Sequence, residues 1–249
     1  MKKRHYLILA AMIALTPLVS FGKGIHNRLN GHQERVVKNE QKKVIEAVST
    51  NHFEYSIASP IPDKVFKRME GKSFPKDCPL DASTLAYVKV NHYGFDGKVH
   101  TGELVVSKSI VGDLVRIFRQ LYDAKYQIEK IRLIDDYGAD DEASMKDNNT
   151  SAFCYRKIAG SEKLSKHAQG LAIDINPLYN PCVSYKDGKV SKVEPQKGAE
   201  FMERDAADKR RIKKGDFIYN LFVTNGFTWG GDWNNPKDYQ HFEFKLDNK

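Results

Sequence analysis

The sequence predicts an α+β fold in which a small antiparallel sheet packs against helices. Three observations carry that prediction. Residues 85–90 and 104–106 read as short strands, joined through residues 91–97, where Asp96-Gly97 signals a tight turn. Residues 110–126 place Val111, Leu114, Val115, Phe118, Leu121 and Tyr122 on one helical face. Residues 171–176 alternate, with Leu171, Ile173 and Ile175 on one face and Ala172, Asp174 and Asn176 on the other. Residues 241–244 alternate again, as a partner strand.

Taken in order, residues 1–22 predict a cleaved signal peptide. Met1 to His5 is basic, residues 6–19 are apolar but for Thr16 and Pro17, and Ser20 and Gly22 are small residues at the positions a signal peptidase reads. The apolar run is short for a permanent anchor. The expectation is export, to the periplasm or beyond, with membrane contact only through the signal peptide before cleavage. Residues 23–59 are polar, with Val36, Val37, Val44, Ile45 and Val48 at roughly helical spacing, so they read as a helical extension. Ser59-Pro60-Ile61-Pro62 breaks it, and the main domain is expected over residues 60–249.

Within that domain a strand is expected over 128–134 and a long loop over 135–149, which is rich in Asp and Asn and has no apolar period. Residues 205–224 are expected to hold a helix whose apolar residues cluster at Phe217, Ile218, Leu221 and Phe222.

Hydrophobic residues make up 41% and charged residues 29% of the chain, which excludes a disordered or fibrous protein. Without Lys2, Lys3 and Arg4, the 40 basic side chains fall to 37 against 32 acidic ones, so the exported form stays basic. Such a charge attracts polyanions in general, and no nucleic-acid motif accompanies it. Of the three cysteines, Cys154 and Cys182 flank the chemically dense region. The preferred pairing joins them and leaves Cys78 free; three reduced thiols are the alternative.

Six of the eight histidines precede residue 101, and the other two, His167 and His241, lie among glycines, aromatics and carboxylates. Asp174 follows His167 by seven residues on the polar face of a strand, where Ala172 leaves room for an ion. Two imidazoles and one carboxylate suit a catalytic zinc, whose fourth position stays open for water.

Residues 165–174 fit S-x-H-x-x-G-x-A-x-D, and Asp238-Tyr239-Gln240-His241 fits D-x-x-H. Together these resemble the LAS metallopeptidases, the family of D-alanyl-D-alanine carboxypeptidases and L-alanyl-D-glutamate endopeptidases. The resemblance covers the second half of the chain and leaves residues 23–80 untouched. It implies a hedgehog- and D,D-peptidase-like fold, one Zn²⁺ per chain held by His167, Asp174 and His241, and hydrolysis of a peptide bond in peptidoglycan stem peptides. It also implies that Asp238 is the catalytic base, where the dipeptidase branch carries Glu. Arg156 matches the arginine that contacts the substrate carbonyl, at a shorter spacing to the first histidine than in many relatives.

Ser165, Trp233 and Tyr239 are the residues expected to meet substrate; a turn role for Ser165 and core packing for the aromatics are the alternatives. Glu243 shares a face with His241 and suits either orienting that ligand or a plain solvent-facing position. The competing functional class is a catalytically silent, zinc-stabilised module that binds wall polymer or another protein.

Overall fold

The computed structural model describes residues 52–158, 161–205 and 207–246. The expected signal peptide and residues 23–51 of the expected extension lie outside the described residues. Tyr55–Ala58, which the sequence places in the extension, is strand β1, and the compact unit it belongs to starts at Phe53.

β1 pairs antiparallel with β2 (Leu85–Tyr93), which pairs antiparallel with β3 (Val99–Ser107). The β2–β3 register runs from Leu85 opposite Ser107 to Tyr93 opposite Val99. At its tip the Asp96 carboxylate accepts the Lys98 N–H at 3.0 Å, and Gly97 has φ +72. Gly supplies such a φ at little steric cost.

Period-two alternation divides this sheet between two cores. Ala86, Val88, Val90, Leu104 and Val106 face helix α2 (Val111–Asp123) and its Leu114, Ile117, Phe118 and Leu121. Leu85, Tyr87 and Val105 face the other way, towards Val65 and Met69 of α1 (Asp63–Met69). Relative to the sequence reading, Ile117 replaces Val115 on the fully buried stripe of α2.

The region after α2 departs most from expectation. The strand expected over 128–134 contracts to β4 (Lys130–Ile131), parallel to β5 (Asn149–Thr150). The expected loop 135–149 contains α3 (Asp141–Lys146). Asp140 caps α3 by accepting the Ala143 N–H at 3.0 Å, with Asp141 and Glu142 in its first turn and Lys146 in its last. This helix is specified by caps and dipole-matched charge, so its lack of an apolar period concealed it.

A second antiparallel sheet, ordered β6-β11-β9, consists of Ala172–Asp174, His241–Phe244 and Phe227–Trp229. α4 (Phe217–Thr224) packs on it, with the Phe222 ring stacked on Phe242 at 4.0 Å and edge-on to Phe227 at 5.3 Å. Burying each such aromatic stabilises the fold by about 2–3 kcal/mol. The helix expected from residue 205 begins only at 217. Gly215 has φ +82, and Asp216 accepts the Tyr219 N–H at 2.8 Å, so the helix start lies here and not in the charged run before it.

The third sheet, ordered β10-β7-β8, contains Lys237–Asp238, Cys182–Lys186 and Lys189–Glu194. The whole is a mixed architecture of small, mainly antiparallel sheets and few helices.

Candidate metal centre

His167 sits in the 3₁₀ turn Lys166–Gln169, which is fixed at both ends. Ser165 is buried and caps the turn, its Oγ accepting the His167 N–H at 3.2 Å. Gly170 ends it with φ +66, and a Cβ there would stand 2.5 Å from the backbone nitrogen of Ser107. That nitrogen donates to Gly170 O at 2.8 Å. The glycine of the ten-residue motif is therefore required twice, by its left-handed φ and by its approach to β3.

Two residues on, fully buried Ala172 opens β6, and Asp174 closes it. His241 opens β11 directly opposite Asp174. These two strands and the capped turn bring three donor atoms together. His167 Nε2 lies 3.1 Å from Asp174 Oδ2 and 3.1 Å from His241 Nδ1, and His241 Nδ1 lies 3.0 Å from Asp174 Oδ1. Tetrahedral zinc with ligand bonds of about 2.0–2.1 Å would separate its donors by about 3.3 Å. The triangle thus has nearly the dimensions that a tetrahedral ion needs, and all three residues are buried.

The outward nitrogens of both imidazoles are engaged. His167 Nδ1 is hydrogen-bonded to the Ala152 carbonyl, so it carries the proton and Nε2 offers its lone pair inward. His241 Nε2 lies 3.3 Å from Glu243 Oε2, which leaves Nδ1 as the inward donor. Glu243 thus holds the His241 imidazole from behind.

Without an ion these groups hold protons against one another. Burial resists charge on Asp174, but His167 and His241 pull its carboxyl well below the usual range. Burial also resists charge on His241, yet Asp174 and Glu243 raise it to about 10.

Asp238 lies on β10 opposite Cys182, three residues before His241. Its Oδ1 is buried without a hydrogen-bond partner. Burial pushes this carboxyl above its ordinary value, against the pull of His241. Gly230 gives it room: a Cβ there would meet Asp238 O at 2.6 Å and Asp238 Cβ at 2.9 Å.

Arg156 arrives on a segment that follows the same scaffold. Ser151 bridges to Asp174, Cys154 N–H donates to His167 O, and Ser165 N–H donates to Arg156 O. Its guanidinium pairs with Asp141 at 2.7 Å. Burial opposes its charge, but Asp141 and then Asp174 hold the pKa above the usual value. Asp141 is absent from the sequence reading because it lay in the presumed loop; its place in the first turn of a capped helix was the available signal.

The aromatics diverge. The Trp233 ring lies 5.2 Å from His241, beside the triangle. Tyr239 instead packs on Trp229 at 5.8 Å, beneath the Arg204 guanidinium at 4.4 Å. Ser165 is occupied as a cap. The preferred Cys154–Cys182 disulfide does not form, and all three cysteines are free. Burial pushes the Cys154 thiol up to about 12 and also raises that of Cys182, which the Asp238 charge raises further, so neither supplies the thiolate that exchange needs.

Residues 159–244 match a peptidase family model described as D-alanyl-D-alanine carboxypeptidase. The match takes in His167, Asp174, Asp238 and His241 and stops short of Arg156. No curated protein and no solved structure matches the chain.

Proposed function

We propose that this chain, whose residues 159–244 match a peptidase family, is zinc-dependent and hydrolyses a peptide bond in peptidoglycan stem peptides after export from the cytoplasm. The observation that carries this reading is the triangle of inward-facing donors on His167, Asp174 and His241, with both imidazoles oriented from behind. A zinc ion bound there supplies Lewis acidity and a water of lowered pKa.

The remaining chemistry belongs to the chain. Asp238 accepts the proton of the attacking water and returns it to the leaving amine. Its buried, unpartnered oxygen and upward-shifted carboxyl suit a group that must take up and release a proton near neutrality. Arg156, held by Asp141, stabilises charge developing on the substrate carbonyl oxygen. Trp233 walls the cleft beside His241. Ser165 and Tyr239 support the site as turn cap and packing residue.

Purified muropeptides incubated with the protein and read by mass spectrometry test the reading. Loss of a terminal D-Ala indicates a carboxypeptidase, and scission after L-Ala an endopeptidase. Asp238→Ala is expected to abolish either product while metal analysis still finds about one zinc per chain. A wild-type protein that binds zinc and cleaves neither bond would identify a silent module instead.

A further inference from the structure

Five buried side-chain polar atoms lack a hydrogen-bond partner among the described residues. Arg156 Nε, Asp238 Oδ1 and Gln240 Oε1 belong to the segments of the metal centre. The other two, Tyr126 Oη and Arg211 Nε, belong to side chains that line one separate cavity of about 580 Å³. Both can donate; the Tyr126 oxygen also lies beside the Asn176 side chain, but no acceptor among the described residues stands within hydrogen-bond distance of its O–H. Burial raises the Tyr126 phenol above its ordinary value and keeps its proton in place.

The same cavity is lined by Lys125, Lys209, Arg210, Arg211 and Lys213. Its two carboxylates are already engaged. Asp208 is held by Arg210 through two contacts of 2.8 Å. Asp216 accepts the backbone N–H groups of Lys213 and Tyr219, each at 2.8 Å. Lys125, Lys209, Arg211 and Lys213 have no carboxylate within ion-pair distance among the described residues. Phe217, half exposed, and Ile218 add an apolar wall.

Arg211 Nη1 donates to Glu203 O at 3.0 Å, but four cations outside any ion pair against two carboxylates, with two buried donors short of an acceptor, leave a concave site that suits an anion. A carboxylate presents two oxygens in one plane, whereas a phosphate ester presents tetrahedrally arranged oxygens to donors on several sides and suits recognition by arginine. We propose that this cavity is a phosphate-binding site that takes a phosphate ester, with its phosphate on Arg211, Tyr126 and the lysines and its carbon body against Phe217 and Ile218. The ester is either a small soluble one or the headgroup of an anionic phospholipid. This proposal is independent of the hydrolytic reading, since the cavity and the metal centre share no residue.

Titration calorimetry with glycerol 3-phosphate, and co-sedimentation with vesicles of phosphatidylglycerol against vesicles of phosphatidylcholine, test it. Saturable binding is expected that weakens as salt is raised. Arg211→Gln, and separately Lys209→Gln with Lys213→Gln, are expected to weaken it by at least about tenfold. Tyr126→Phe, which removes one oxygen and keeps the ring, is expected to weaken it about threefold or more. Hydrolysis of a short soluble stem peptide stays unchanged in these variants. Sedimentation with phosphatidylglycerol vesicles alone, reversed by glycerol 3-phosphate, assigns the site to headgroups; calorimetric binding without sedimentation assigns it to soluble esters. Absence of saturable binding in both arms, or binding that ignores all the variants, overturns the proposal.

Discussion

Asp174 and His241 are direct cross-strand partners at a position where their backbones exchange no hydrogen bonds. Asp174 spends both its N–H and its C=O on Ser151 at the opposite edge, and Ile175 N–H reaches Gln240 O, so antiparallel alternation leaves the 174–241 pair unbonded. Such pairs bring their Cα atoms to about 4.5 Å, closer than hydrogen-bonded pairs do. Register thereby sets the spacing of these two donor-bearing residues before either side chain chooses a rotamer.

Removing either member of this pair is expected to cost the metal. Asp174→Ala should lower zinc affinity by more than about 100-fold, and Glu243→Gln, which leaves all three ligands in place, by about 10–100-fold. Competition with a chromophoric chelator measures both. Equal affinity of Glu243→Gln and wild type would remove Glu243 from the site.

The metal-free protein should lose stability as it is made alkaline. His241 has its pKa raised from 6.5 to about 10, so its contribution is fully present below about pH 6.5 and is lost as pH rises through about 10. Asp174 is shifted downward, so its contribution holds above the ordinary carboxylate range and fails only in acid. Zinc needs the unprotonated imidazole, so its affinity should rise over the same alkaline interval. Thermal melts of chelator-treated and zinc-loaded protein at pH 6.5 and 9.5 should therefore diverge, the metal-free form losing Tm and the difference between the forms widening.

Gly170→Ala is expected to destabilise the fold by about 1–2 kcal/mol from the left-handed φ alone, before the contact with Ser107 is counted. Because the same turn carries His167, zinc stoichiometry should fall together with Tm. Denaturant unfolding and metal analysis on one sample would show whether the two losses coincide.

Asp141→Asn should leave zinc content intact and reduce kcat/KM by about tenfold or more, by releasing the guanidinium of Arg156. Arg156→Ala should cost more. In the double variant the two losses should not add, because both remove one oriented cation. Full additivity would separate Asp141 from the function of Arg156.

The parts legible in the sequence were those with a strong local period or a fixed spacing. Strand parity around Ile173 and the apolar stripe of α2 both reflect burial, and burial imposes its period directly on residue type. The meeting of His167, Asp174 and His241 was readable for a related reason, since the motif fixes both their types and their spacing. What escaped depended on long-range partners. Asp141 looked like one acid among many because its significance lies in Arg156, fifteen residues on. The contacts of Tyr239 with Trp229 and Arg204 join residues ten and thirty-five positions away, which no local pattern reveals. The span expected as one helix over 205–224 failed because charge continued where the apolar period did not, and Gly215 and Asp216 set the start.

Asp238 and His241 are three residues apart, yet they belong to different sheets: Asp238 pairs with Cys182 in the β10-β7-β8 sheet, and His241 with Asp174 in the β6-β11-β9 sheet. The short D-x-x-H sequence is therefore a joint between two separately supported layers. Substitutions in the β7–β8 hairpin can displace the Asp238 carboxylate without touching the strands that carry Asp174 and His241. A lineage could lose the proton transfer proposed for Asp238 while keeping the three donor groups.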